Sequence, residues 1–228
     1  MILRGRGFFF TCGRGMRRDI YTLIAEGEHQ QQDFKFEISD ARKIARSLSA
    51  FANTEGGRLL VGVKDNGRIA GIRTDEEVYM IEAAAQLYTR PSLEIRFTTC
   101  EAEGRTVLIA EVEQAAVQPV YALDEKGKAW AYLRIADENI LATPVHLLVW
   151  NMRKSHRGIL WNDTDRGQKL LSLLSREKPL SVSACCRLTG FKRKEVELLL
   201  AQLICMEVVG WCFEERHFLY KLEEKVSL

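Results

Sequence analysis

Apolar positions along the chain switch between a helical and an alternating period, and those switches mark out most of its elements. Over residues 17–26, Ile20, Leu23 and Ile24 recur at helical spacing among charged neighbours, and Gly27 ends the pattern. At Asp33-Phe34-Lys35-Phe36 the period drops to two. That predicts a short strand with Asp33 and Lys35 on one face and the two phenylalanines in the core. Ser39 or Asp40 can cap the next helix, which places Ala41, Ile44, Ala45, Leu48, Phe51 and Ala52 on one stripe and Arg42, Lys43 and Arg46 on the other side. Gly56-Gly57 turns the chain into a buried strand over 58–63. Asp65-Asn66-Gly67 then predicts a hairpin onto residues 68–71.

A helix over 75–88 carries Val78, Ile81, Ala85 and Tyr88 inward and ends before Pro91. Alternating segments at 93–100 and 106–112 flank Glu103-Gly104, and a second strand pair at 120–123 and 129–135 flanks the polar turn at 124–128. A helix over 144–154 is expected to close this domain, which spans 17–154. Strands interspersed with segregated helices make it α+β, a mixed sheet with flanking helices. A polar linker over 155–165 leads to a small second domain over 166–225. There three helical patterns (from Arg166, 181–188 and 192–206) precede strand patterns at 208–213 and 217–222, the element order of a winged helix.

Composition narrows the function classes. The chain has 228 residues, 46% hydrophobic and 28% charged, with a formal charge of +2. No apolar run reaches the ~20 residues of a membrane span, so a membrane role has no support. So small a net charge does not announce a nucleic-acid binder, although local basic clusters can still hold phosphate. Six cysteines lack CxxC spacing and histidine pairs, which argues against zinc and for a reduced, cytoplasmic setting. Residues 1–16 read as a disordered tail or an extension before a true start at Met16.

The sequence GE-x4-DFK followed by SAFANTEGG-x3-VGVKDNGRIAGI, residues 27–72, resembles the Schlafen/AlbA-type domain, a family of DNA-binding or divergent ATPase domains. The likeness continues more weakly to Tyr132-Leu133-Arg134, where the family has a Tyr-x-Arg strand. The appended unit is similar to the C-terminal modules of bacterial members regarded as transcriptional regulators. The nuclease branch of the family places its acids at positions that correspond here to Glu28, Asp33 and Asp65. The resemblance therefore implies a divalent-metal site for Mg2+ or Mn2+ on those three residues, with Lys35 stabilising charge on the phosphate. Asp33 stands where the family has glutamate, so its arm is one methylene shorter. The ATPase label finds no G-x4-G-K-[ST] loop to rest on.

Two functions follow. The first, placed ahead, is a DNA-binding transcriptional regulator. Its nucleic-acid contacts come from Arg42, Lys43, Arg46 and Arg58, and from Lys192, Arg193 and Lys194 at the start of the third helix of the second domain. The second is a metal-dependent endoribonuclease acting on structured RNA such as tRNA. The aromatics Trp211, Phe213, Phe218 and Tyr220 offer a surface for pairing two copies, and a homodimer is expected. Asn53 is expected to fix loop backbone by hydrogen bonds rather than touch a ligand.

Overall fold

The computed structural model describes residues 10–11, 20–155, 165–176 and 178–223. It divides into two compact units, residues 1–141 and 142–228. The expected tail over 1–16 therefore lies outside the described residues except for Phe10–Thr11 (β1), which pairs in parallel with Thr98 and Thr99. Most of the expected linker likewise lies outside them.

In the first unit, α1 (Ile20–Glu26) leads to β2 (Gln32–Lys35), α2 (Ala41–Asn53) and β3 (Gly57–Val61). Then come α3 (Glu76–Leu87), β4 (Thr89–Arg90), β5 (Arg96–Ala102) and β6 (Arg105–Val112). The unit ends with β7 (Tyr121–Leu123), β8 (Ala129–Ile135) and β9 (Glu138–Leu141). One mixed sheet has the order β1-β5-β6-β3-β2; the other has the order β4-β7-β8-β9. The fold is α+β.

Alternation along the strands builds a core on each face of the larger sheet. Leu59 and Val61 join Leu108 and Ala110 under α2 and α3, while Phe34, Leu60, Val107 and Ile109 pack with Ile20 and Leu23 of α1 on the other side. Helix α2 is almost wholly buried because it contacts both sheets. Asp40 caps it by accepting from the Arg42 backbone N–H at 2.8 Å. Replacing a fully buried residue such as Leu48 by alanine would cost ~2–5 kcal/mol.

Asn53 does what its position predicts. Its amide donates to the Val120 and Tyr132 carbonyls and accepts from the Val120 N–H, tying the end of α2 to the second sheet.

Three expectations need correction. Phe36 is exposed rather than core, because β2 ends at Lys35 and the chain bends away with Lys64 Nζ over its ring. The hairpin after Asp65 shrinks to a single bridge between Val63 and Ile69. Gly62 explains this: at φ +90° its carbonyl accepts from both Ala70 and Gly71 N–H, and a Cβ there would lie 2.7 Å from the Gly71 carbonyl carbon. The helix expected to close the first domain, α4 (Pro144–Lys154), belongs to the second unit, where it packs on α7.

The rest of the second unit is α5 (Asp165–Arg176), α6 (Val182–Thr189), α7 (Arg193–Cys205) and an antiparallel hairpin of β10 (Val209–Glu214) and β11 (His217–Leu222). His146 of α4 stacks edge-on against Phe218 and Trp211. Of the aromatic set expected to form a pairing surface, Tyr220 and Phe218 are buried, Phe213 is half-buried and Trp211 is exposed.

Candidate nucleic-acid interface and carboxylate cluster

Strand β2 is the edge strand of the five-stranded sheet, and its alternation fixes the chemistry of the site. Gln32 and Phe34 face α1. The Gln32 amide donates to the Leu23 and Gly27 carbonyls at 2.6 and 2.7 Å, closing the end of that helix. Asp33 and Lys35 face the opposite way and meet, Lys35 Nζ lying 2.7 Å from Asp33 Oδ2. The other oxygen of Asp33 is reached by Arg134 of β8 at 3.3 Å. Arg134 is only 1% exposed. Its guanidinium also donates to Asn139 Oδ1 and the Gln32 carbonyl and lies over the Phe51 ring, while its backbone N–H donates to Thr54 Oγ1.

Glu28 completes the cluster. One carboxyl oxygen accepts from the Phe34 N–H at 2.8 Å, and the carboxyl neighbours that of Asp33. Burial, reinforced by that neighbouring acid, raises the Glu28 carboxyl above the ordinary glutamate range. Burial would raise Asp33 too. Its neighbours Glu28, Lys35 and Arg134 outweigh it and hold Asp33 below the ordinary aspartate range. Of the two, Glu28 is therefore the weaker acid and Asp33 the stronger.

Above this cluster opens a cleft of about 510 Å³. Lys35, Lys43, Arg46 and Arg134 line it, matched by Asp33, Glu37, Asp40 and Asp137, with Ser47 and Asn139 between them. The expected basic face of this domain is accordingly divided. Lys43 and Arg46 are exposed at the cleft. Arg42 instead stacks over the Tyr88 ring, its guanidinium carbon 4.6 Å from the centroid. Arg58 is committed to Glu26 at 2.6 Å and to the Gln32 side chain. Asp65 sits exposed on the turn closed by the Gly67 N–H and the Lys64 carbonyl.

In the second unit Lys192, Arg193 and Lys194 are all exposed at the N-terminal end of α7. Arg193 pairs with Glu197 one turn on at 2.9 Å and also reaches Ser183. Neither Lys192 nor Lys194 has an ion-pair partner among the described residues.

A family model described as Schlafen, AlbA_2 matches residues 28–143, from the cluster's first acid to just past β9. The chain belongs to this family. Membership of the Schlafen, AlbA_2 family associates it with a nucleic-acid-related role. No curated protein matches the chain. Among solved structures it is similar to the DIP2311 protein of Corynebacterium diphtheriae, at 18% identity and TM-score 0.43, over 83% of this chain and 34% of that one. The chain thus spans about a third of DIP2311's length. It is also similar to the N-terminal domain of a RecG-related protein of Nitrosomonas europaea, named for an ATP-dependent DNA helicase. That match has 18% identity and TM-score 0.40, over 65% of this chain and 98% of that one.

The divalent ion implied by the family's nuclease branch does not fit the residues present. Glu28 and Asp33 come together, but Asp65 does not join them, and among the described residues no group of three acids, histidines or cysteines could hold a metal. The reason is local: β3 ends at Val61, and the backbone reversal at Gly62 carries Asp65 out to solvent. Both oxygens of Asp33 already face cations. The residue that sequence reasoning left out of the site is Arg134. Its signal was the Tyr132-x-Arg134 strand, noted for family likeness and not for its electrostatic work.

Proposed function

We propose that the protein is a nucleic-acid-binding regulator that holds duplex DNA chiefly through the N-terminal turn of α7. In this reading α5, α6, α7 and the β10–β11 hairpin act as a winged helix, and Lys43 and Arg46 add a weaker contact from the first unit. One observation carries it: Lys192, Arg193 and Lys194 crowd the end of a helix where the backbone dipole disfavours cations. Two of the three lack a carboxylate partner among the described residues, so their charge is available to an outside anion. Phosphates of a nucleic-acid backbone supply that anion at regular spacing.

The ribonuclease alternative draws no support from the cluster. Its acids are occupied by a backbone N–H and by two cations.

Fluorescence anisotropy with a labelled duplex over a series of salt concentrations tests the reading. Affinity should fall steeply with salt. The double substitution Lys192→Ala/Lys194→Ala should weaken binding at every sequence and reduce the slope of log K against log salt by about 0.9 per lysine. Lys43→Ala/Arg46→Ala should change it less. Binding that ignores the α7 substitutions would refute the assignment.

A further inference from the structure

We infer that Arg134 is the resident cation of the cleft and stands in for a divalent ion, so that this Schlafen, AlbA_2 domain works without metal. The inference starts from the two oxygens of Asp33. Lys35 lies 2.7 Å from one and Arg134 3.3 Å from the other, so an incoming ion would have to displace a cation already in place.

Lys35 is on a flexible stem and partly exposed, and it could swing away. Arg134 cannot. Its guanidinium is gripped by Asn139 and the Gln32 carbonyl, lies over Phe51, and is walled off from water. A divalent ion bound to Asp33 at the ~2 Å typical of Mg2+ would therefore sit against a fixed positive charge.

The second acid is no more available. One Glu28 oxygen accepts from the Phe34 N–H, which ties it to the backbone of β2. What a metal would do at Asp33, answering its carboxylate with positive charge, the guanidinium does permanently. It also ties β2 to β8 and to Asn139 of β9. Asp33, one methylene shorter than glutamate, is within reach of Lys35 and Arg134 together.

The test is a manganese titration of the full chain, followed by water-proton relaxation and by melting temperature, for wild type and Asp33→Asn. Wild type should show no stoichiometric Mn2+ binding tighter than about 1 mM, the weak end of protein sites for divalent cations. It should melt at the same temperature in Mn2+ and in EDTA, and Asp33→Asn should give the same flat titration. One Mn2+ per chain in wild type, lost in Asp33→Asn, would overturn the inference.

A second arm rests on the DNA-binding reading above: anisotropy in EDTA and in Mn2+ at matched ionic strength should give equal affinities. Tighter binding in Mn2+ that Asp33→Asn removes would also overturn the inference. Absence of binding in both buffers would instead refute the DNA-binding reading and leave the titration to decide the metal question.

Discussion

Two charged places in the chain, the edge strand β2 and the first turn of α7, are treated in opposite ways. On β2, Asp33 is buried and answered by two cations, Lys35 on one oxygen and Arg134 on the other. At α7, Lys192 and Lys194 stand in solvent with no carboxylate partner among the described residues. A buried charge with its partners built in is part of the architecture, and removing one partner leaves another stranded. An exposed cation without a partner contributes little to folding and remains free for an external anion. Charge available for binding is thus judged by what is left over after internal pairing, not by the density of charged letters.

The sharpest way to break this comparison is Arg134→Met. The substitution keeps bulk against Phe51 but leaves buried Asp33 with Lys35 as its one remaining cation and takes a donor from Asn139 Oδ1 and the Gln32 carbonyl. Breaking a buried pair from one side costs ~3–5 kcal/mol, so urea unfolding should show a loss of that order. Lys192→Ala/Lys194→Ala should move stability by no more than ~0.5 kcal/mol while weakening DNA binding. If the two variants lose similar stability, the contrast between architectural and available charge is wrong.

The second unit offers a companion case to Asp33: a buried titratable group with no counter-charge. His146 packs against Trp150, Trp211 and Phe218, accepts at Nδ1 from the Thr143 N–H, and leaves Nε2 buried without a partner. Burial pushes its pKa down to about 4. An unfolded histidine titrates near 6.5, so between those values the unfolded chain binds the extra proton. The stability that neutral His146 allows is complete above pH 6.5 and is lost as pH falls toward 4.

At pH 4.5 the loss should reach about 2–3 kcal/mol relative to pH 7. Glu28 works the other way, its raised pKa favouring the folded state as pH falls. The measure is therefore the difference between wild type and His146→Phe in paired urea titrations at pH 7 and 4.5. The variant should be markedly less acid-sensitive. Equal sensitivity would mean that the imidazole is already solvated in the native state.

Much of the fold was legible because it rests on local pattern. The periodicity of Ile44, Leu48 and Phe51 marked α2, and alternation at 33–36 placed Asp33 and Lys35 on one face. The helical order of the second unit was equally open to reading. What could not be read were properties set by distant partners. Phe36 alternates correctly for a core residue, yet the strand stops one residue earlier. Residues 144–154 carry a clear helical pattern, but no local signal says which unit the helix packs into. Arg42 and Arg58 look as basic as Lys43 and Arg46. Tyr88 and Glu26 decide otherwise, and both meet them only through the tertiary fold. Arg134 was hidden for the same reason, lying about a hundred residues from Asp33 along the chain.

The smallest effect is the one that tests the site hypothesis most cleanly. Asp33→Asn and Asp65→Asn remove the same charge from two residues that sequence resemblance places in one site. In the folded chain Asp33 sits between two cations, whereas Asp65 is exposed on a turn whose geometry comes from the Lys64 carbonyl, the Gly67 N–H and the Asn66 side chain. Asparagine is as well suited as aspartate to such a turn. Asp65→Asn should therefore shift stability by less than ~0.5 kcal/mol and leave nucleic-acid affinity unchanged or slightly higher, since a negative charge is gone. Asp33→Asn should destabilise measurably, because Arg134 then lies buried opposite a neutral group. Asp65→Asn that instead matched Asp33→Asn in both readouts would mean that the turn folds back onto β2 in solution. The three acids would then form a single site after all.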